Sequence, residues 1–535
     1  MEQNYYSYIS SRANWDCIQT IFLCAPAKVA NNNEKLCSFV KESGWEKVTE
    51  EKGAVLIAPM VKKDWQEKSL SLIPEFYEVH KNDFKAPSGI SIPGREGVLW
   101  LWETMIYLVG YGDGADYAAN VLIKEPGFFA ASALIDGVIT DFSHSKEEAS
   151  HWFVRKPHNY QKKNNEIASS VWLFKNQKDS EATIEYFKNS GQMDGEYHEA
   201  YDGVSVTGYF ANDNPAVQLR ISDLNEANAD VIADYFFEKT LRWKNGPDGQ
   251  LRNYMGRRDY ERSERFIHRE VSVNGNTYPY TVHMPEGMNK EDVKDLPLVF
   301  SLHGRGEPTW VFAEKNGWDV LSDRTREFIV VFPDSPYNIW TIERDLNAIP
   351  AILKQVSEEY QIDKQRVYLS GFSNGAVFTC QIASTFPDLF AAASPWNGPE
   401  MEMCQKIGLG SYYYHPDFVN GTKEMPFWII VGDSDSKASA CRDDELKILL
   451  PVDHCTENYE VWNGENHYTK KAGYLEGDRF ETKVFFDQNG SIKVGLTVMA
   501  NMPHGAIWDE SYATWEFMRR FARVNGEIEE IKEDR

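Results

Sequence analysis

The sequence predicts an α/β fold built twice, each half a doubly wound, mostly parallel sheet with helices on both faces. Two observations predict it. In each half short apolar strands alternate with amphipathic helical stretches, the pattern of a parallel sheet covered on both sides. The halves also repeat one another around a single turn, Gly371-Phe-Ser-Asn-Gly-Ala376 in the second and Gly110-Tyr-Gly-Asp-Gly-Ala115 in the first. Val367-Tyr-Leu-Ser-Gly371 parallels Ile106-Tyr-Leu-Val-Gly110, and Pro387-Asp-Leu-Phe-Ala-Ala-Ala393 parallels Pro126-Gly-Phe-Phe-Ala-Ala-Ser132. From 112 to 373, 126 to 387 and 137 to 398 the offset is 261 each time. It drifts to 273 between Gly44-Trp45 and Gly317-Trp318, and to 274 between the runs ending at Pro59 and Pro333, as loop insertions would cause.

In the first half, Ala54 to Pro59 and Val171 to Phe174 read as strands. The apolar window Gly97 to Tyr111 is broken by Glu103 and too short to span a bilayer, so it reads as a buried helix-strand segment. Lys244 to Arg265 has mixed charge and no apolar period, and is the expected linker between domains at 1–250 and 266–535. Glu270 to Pro285 then reads as a hairpin turning at Asn274-Gly275, because both turn positions need residues that tolerate positive φ. Strands are expected at Leu298 to Leu302, Phe328 to Phe332, Val367 to Ser370, Ala391 to Ser394, Phe427 to Val431 and Val494 to Ala500.

At 535 residues the chain exceeds one ordinary core, and 42% apolar with 26% charged residues is normal for globular domains. A formal charge of −25 repels a phosphate backbone and an anionic membrane surface, so neither nucleic acid nor membrane is an expected partner. Aromatic residues at 13% suit large cores or sugar-stacking pockets. The start, Met-Glu-Gln-Asn-Tyr-Tyr, lacks a basic stretch followed by an apolar one, and the seven cysteines lack metal-site spacing. A cytoplasmic protein with free thiols is expected, with a bridge among Cys404, Cys441 and Cys455 left open.

The Gly-x-Ser-x-Gly turn between a strand and a helix is the form of a nucleophile elbow, where small neighbours leave the serine hydroxyl exposed. Ser373 is therefore the expected nucleophile, and the Asn374 N–H that opens the helix one oxyanion donor. The loop Leu302-His303-Gly304-Arg305-Gly306 follows a strand where the second donor belongs, and Arg305 N–H is the choice. His303 is read as holding this loop by hydrogen bonds, with its ring still able to line the site. Two carboxylates, Asp433 and Asp435, follow the strand ending at Val431. Asp435 is preferred as the acid, with Asp433 the alternative. His504, after the last strand, is placed as general base; His454 and His467 lie in a long polar insertion and read as exposed. The order Ser373, Asp435, His504 is that of an α/β-hydrolase. Trp310, Trp340, Trp396 and Trp508 are pocket candidates that core packing would explain equally.

These motifs, with Val331-Phe-Pro333, the run Ile362 to Ala376, Gly432-Asp-Ser-Asp435 and Pro503-His-Gly505 before Trp515-Glu-Phe517, resemble the polyhydroxybutyrate-depolymerase-like esterase family. That family includes feruloyl and acetylxylan esterases, and the resemblance covers most of 266–525. It implies an α/β-hydrolase fold and ester cleavage through an acyl-enzyme, with no metal and no cofactor. Ser373, Asp435 and His504 would carry the triad, and Arg305 with Asn374 the oxyanion hole. Arg305 replaces the family's His-Gly-Cys-type residue and the acid-to-base segment is long, departures that bear on substrate more than on reaction.

The first half reads as a degenerate copy, giving two tandem α/β-hydrolase-like domains. Gly112 removes the nucleophile, Asp179 aligns with Asp435, and no histidine lies between Glu199 and Gln250. Leu23-Cys24-Ala25-Pro26 aligns with Leu302 to Arg305 at offset 279, and Pro26 has no N–H to donate. Such a domain would give structural support, bind a ligand extension, or build a homo-oligomer interface. The expected substrate is a small-molecule or oligomeric ester, first an acylated sugar or hydroxycinnamate-type ester. Hydroxyalkanoate oligomers are the alternative, and a non-catalytic binding or scaffolding protein the rival of another class.

Overall fold

The computed structural model describes residues 5–14, 18–85, 91–92, 95–175, 180–398, 423–462 and 479–531. They form two compact units, Met1–Arg155 with Tyr160–Met255, and Lys156–Asn159 with Gly256–Arg535.

The first unit holds a nine-stranded sheet. Its strands are β1 (Tyr5–Ile9), β2 (Ile18–Cys24), β3 (Val55–Pro59), β4 (Leu101–Tyr111), β5 (Ala131–Ile135), β6 (Val171–Lys175), β7 (Gly195–Tyr201), β8 (Val204–Ala211) and β9 (Asn214–Asp223), in the order β1-β3-β2-β4-β5-β6-β9-β8-β7. The second unit holds a ten-stranded sheet of β10 (Ile267–Val273), β11 (Asn276–His283), β12 (Lys294–Leu302), β13 (Ile329–Pro333), β14 (Gln361–Phe372), β15 (Ala392–Trp396), β16 (Phe427–Gly432), β17 (Tyr459–Val461), β18 (Phe480–Phe486) and β19 (Ile492–Met499). Its order is β10-β11-β13-β12-β14-β15-β16-β19-β18-β17. Adding ten to each strand number of the first sheet reproduces the second, apart from the extra edge strand β10. Directions match as well: the central strands are parallel and the flanking pairs antiparallel in both.

The central strands are buried end to end in β2, β3, β5, β13, β15 and β16, which is why they read as unbroken apolar runs and not as alternating ones. Helices that position the site are α1 (Asp113–Lys124), α2 (Thr309–Lys315), α3 (Asn374–Thr385), α4 (Ser436–Val452) and α5 (Asp509–Met518). Each elbow helix, α1 or α3, begins after a single intervening residue, Gly112 or Ser373, so the turn has no slack.

Three expectations change. The window before Tyr111 is strand from Leu101 onward, with no helix. The expected linker is partly ordered, since Gln250–Asn253 pairs antiparallel with Thr240–Trp243. The polar insertion between acid and base contains the antiparallel pair β17–β18, where buried Phe480, Thr482 and Val484 alternate with exposed Glu481 and half-buried Lys483. Among the described residues no helix is long and apolar enough to cross a membrane.

Candidate active site

The two elbows share one backbone geometry. Ser373 has φ 55° and ψ −115°, and Gly112 has φ 55° and ψ −125°. A side chain in this region costs about 1–3 kcal/mol and persists only where the surroundings hold it. Here they do: Ser373 N–H donates to Trp396 O at 2.9 Å, and its carbonyl accepts from Ala376 and Val377. Gly112 N–H makes the matching bond to Ile135 O at 2.9 Å. The glycine two residues on is fixed by close approach, since a Cβ on Gly375 would lie 2.3 Å from Leu302 O, and one on Gly114 2.3 Å from Cys24 O.

Around Ser373 the structure brings the expected groups together. His504 Nε2 lies 2.8 Å from Ser373 Oγ, and His504 Nδ1 lies 2.5 Å from Asp435 Oδ2. The Asp435 side chain is 4% exposed and that of His504 44%, so the carboxylate is shielded while the imidazole faces solvent. With Nδ1–H donated to Asp435, Nε2 presents its lone pair to the serine hydroxyl, the arrangement a proton transfer from Ser373 requires. Asp433 points elsewhere: it accepts from Ser434 Oγ, and its Oδ2 lies 3.8 Å from His158 Nε2.

Several residues that sequence reasoning missed hold the acid and base loops. Asn397, fully buried, accepts from Gly432 N–H at the end of β16 and donates to Gly505 O beside His504. Asn501, at φ 54°, accepts from His158 N–H at 2.6 Å and donates to His158 O at 2.7 Å. Phe372 sets its ring 5.1 Å from that of His504. An asparagine just after a strand end was the available signal for Asn397 and Asn501; nothing in the sequence pointed to His158.

The loop after β12 is stitched in place. His303 is fully buried, donates from Nδ1 to Gly304 O at 2.7 Å and accepts at Nε2 from Ser335 N–H at 3.1 Å, which fills both ring nitrogens. Gly306 N–H donates to Asn338 O at 2.7 Å. The Asn374 side chain clasps the Trp340 backbone, accepting from its N–H at 2.7 Å and donating to its carbonyl at 3.1 Å. Arg305 N–H therefore sits on a loop, and Asn374 N–H on a helix end, that are both fixed before any ligand arrives. Among the described residues no group of three or more His, Cys, Asp or Glu side chains could hold a metal.

Of the pocket candidates, Trp340 and Trp396 are core residues with no exposed surface, a correction to their place in a pocket. Trp340 stacks on Phe378 and Trp396 on Trp318, and each indole N–H is hydrogen-bonded inside the unit. Trp310 and Trp508 are half-buried, and Trp508 Nε1 donates to Glu314 O. His454 is exposed; His467 and Cys404 lie outside the described residues, Cys441 falls within α4, and Cys455 is a free thiol.

In the first unit the counterpart of the oxyanion loop shifts by one residue from the sequence alignment. Cys24 pairs with Gly110 as Leu302 pairs with Gly371, so the offset is 278 and Ala27, not Pro26, stands where Arg305 does. Ala27 has an N–H, and it donates to Asp113 Oδ1 at 3.0 Å. Asp113 is the counterpart of Asn374. Asp179 lies outside the described residues.

No family model matches the chain. It is 33% identical over 132 residues to the bifunctional acetylxylan esterase/xylanase XynS20E of Neocallimastix patriciarum, covering 24% of this chain and 19% of that protein. It is 32% identical over 130 residues to poly(3-hydroxyalkanoate) depolymerase C of Paucimonas lemoignei, covering 22% and 30%. With the probable acetylxylan esterase A of Aspergillus fumigatus it shares 30% over 128 residues, 22% of this chain and 30% of that one. The chain thus spans less than a third of each of these three relatives. Among solved structures, acetyl xylan esterase from Aspergillus awamori aligns with a TM-score of 0.36 at 16% identity, over 47% of this chain and 98% of that one. Over these stretches of 128 to 132 residues the chain is similar in sequence to acetylxylan esterases and to a poly(3-hydroxyalkanoate) depolymerase.

Proposed function

We propose that the chain is a serine carboxylic-ester hydrolase whose reaction runs through an acyl-enzyme at Ser373. The observation that carries this reading is the unbroken line Asp435–His504–Ser373, at 2.5 and 2.8 Å. His504 Nε2 takes the Ser373 proton as Oγ bonds to the ester carbonyl carbon, and Asp435 stabilises the resulting imidazolium. Arg305 N–H and Asn374 N–H receive the carbonyl oxygen as it becomes negative. His504 then returns the proton to the leaving alcohol, and water repeats the sequence on the acyl-enzyme to release the acid. Asp435 is the acid and Asp433 is not.

Acylated sugars and hydroxycinnamate-type esters are the substrate class, supported by the resemblance to acetylxylan esterases. Hydroxyalkanoate oligomers are the second reading, favoured by the match to the poly(3-hydroxyalkanoate) depolymerase. The first unit is a degenerate α/β-hydrolase-like domain, a reading supported by its matching strand order and by Gly112. Cys24, Cys37, Cys380 and Cys455 are free thiols, which supports a reducing compartment such as the cytoplasm.

The test is fluorophosphonate labelling of the full chain alongside hydrolysis of acetyl, butyryl, feruloyl and hydroxybutyryl esters. Label on Ser373, with Ser373→Ala inert toward all four, is the expected result. A Ser373→Ala protein that cleaves them at the native rate removes the reading, and release of hydroxybutyrate alone selects the second substrate class.

A further inference from the structure

Beneath the loop that carries Arg305 lies an ion pair that the proposed reaction does not use. Glu307 and Lys315 join through Oε1 and Nζ, with side chains 1% and 6% exposed. The other carboxylate oxygen, Oε2, accepts from Gly304 N–H at 3.3 Å, and Glu307 N–H donates back to Gly304 O at 3.3 Å. Lys315 closes α2, whose first N–H, on Thr309, is held by Asp334 at 2.8 Å. Its ammonium sits 4.1 Å from the centre of the Phe372 ring, and Phe372 immediately precedes Ser373 and lies against His504.

Gly304 is packed between the two parts. A Cβ there would lie 2.8 Å from Glu307 Oε2 and 3.0 Å from the Phe372 ring, so backbone, carboxylate and ring are in contact with no room to spare. Desolvation offsets most of the attraction within a buried ion pair, so its net stabilising effect is small. What it supplies is geometry: the pair spans from Gly304, one residue before the proposed oxyanion donor, to the aromatic ring next to the nucleophile.

We propose that Glu307 and Lys315 are positioning residues for the oxyanion hole. The Glu307 carboxylate holds the His303–Gly304 peptide through Gly304 N–H, and with the Glu307 N–H on Gly304 O this sets Gly304 and hence the direction of Arg305 N–H, while Lys315 holds Glu307 and seats the Phe372 ring by a cation–π contact. The inference rests on the serine-hydrolase reading.

Its test uses the full chain, an aryl acetate as substrate, and an aryl trifluoromethyl ketone, which adds to the nucleophilic serine and places an anionic oxygen in the oxyanion hole. Glu307→Ala/Lys315→Met removes both charges together and the acceptor for Gly304. Its kcat is expected to fall about 10- to 100-fold, the cost of a misplaced donor. KM should stay within about twofold, because the contact matters in the transition state and not in ground-state binding. The ketone's inhibition constant should rise by the same factor as kcat falls. Glu307→Gln/Lys315→Met keeps an amide oxygen for Gly304 N–H but lacks the ammonium under Phe372, and should recover both quantities in part. Glu307→Asp, with the charge intact and one methylene fewer, should show the same split at smaller size, and it carries the test if the alanine variant does not fold. Folded variants whose Tm falls while kcat and the ketone constant stay at wild-type values overturn the inference. If wild type is neither labelled by fluorophosphonate nor inhibited by the ketone, the hydrolase reading fails and this one with it. A labelled, inhibited wild type with indifferent pair variants overturns this one alone.

Discussion

Asp435 acts on His504 through a single short contact, so an amide in its place would present the wrong partner to Nδ1–H. Asp435→Asn is expected to lower kcat by about 10³- to 10⁴-fold, since the imidazole would settle in the other tautomer. Asp433→Asn should leave kcat close to wild type, and a stopped assay on one aryl ester separates the two. In the first unit, Gly112→Ser must adopt the backbone that Ser373 already holds and should cost about 1–3 kcal/mol in urea unfolding. Paired with Ser373→Ala, it should restore no hydrolysis. The meeting of Ser373, Asp435 and His504 was legible because each follows a strand that the apolar runs mark. Trp340 and Trp396 were not, because whether an indole lines a cavity or fills a core depends on what packs over it, which a linear pattern does not encode. The alignment of Pro26 with Arg305 slipped by one residue because short apolar strands tolerate a shift that hydrogen-bond register does not.

At the scale of elements, α3 is tied to β12 by the absence of a side chain at 375. Gly375→Ala would drive a Cβ into two carbonyl oxygens, those of Leu302 and His303, and is expected to cost several kcal/mol, about the upper range for core overpacking, read as a lowered Tm. Just beyond α4, Asp453 accepts from Met425 N–H at 2.9 Å, and burial, with Glu424 adding, pushes its carboxyl well above the usual range. A raised folded-state value means the folded chain holds this proton more tightly than the unfolded one. The contribution is therefore full below about pH 4, where unfolded aspartate titrates, and is lost as pH rises toward the folded value. Asp453→Asn removes that dependence, so the variant's Tm relative to wild type should climb between pH 4 and pH 8. A difference independent of pH would refute it. The parallel core strands were legible as apolar runs, and the Asn274-Gly275 hairpin as turn chemistry. Tyr459–Val461 was not, because an exposed edge strand buries nothing that would leave a pattern.

For the whole molecule, the two units each have a complete sheet and a buried core. Calorimetry should resolve two transitions: Leu134→Ala, in β5, should lower one by the usual 2–5 kcal/mol (roughly) of a core deletion, and Leu369→Ala, in β14, the other. A single transition that both variants shift equally would show one cooperative unit. The repeat was legible at this scale because the elbow is so constrained that both halves keep its flanking glycines, whether serine or glycine stands between them. What the repeat left hidden is the contact between Ala27 N–H and the Asp113 carboxylate. A serine hydrolase site offers free N–H groups to an oxygen that becomes negative, whereas in the first unit a side-chain oxygen already accepts from the matching N–H. The first unit thus carries its own occupant. A nucleophile engineered at 112, even with a histidine and an acid supplied, would face an N–H already taken, and Asp113→Ala would be the change that frees it.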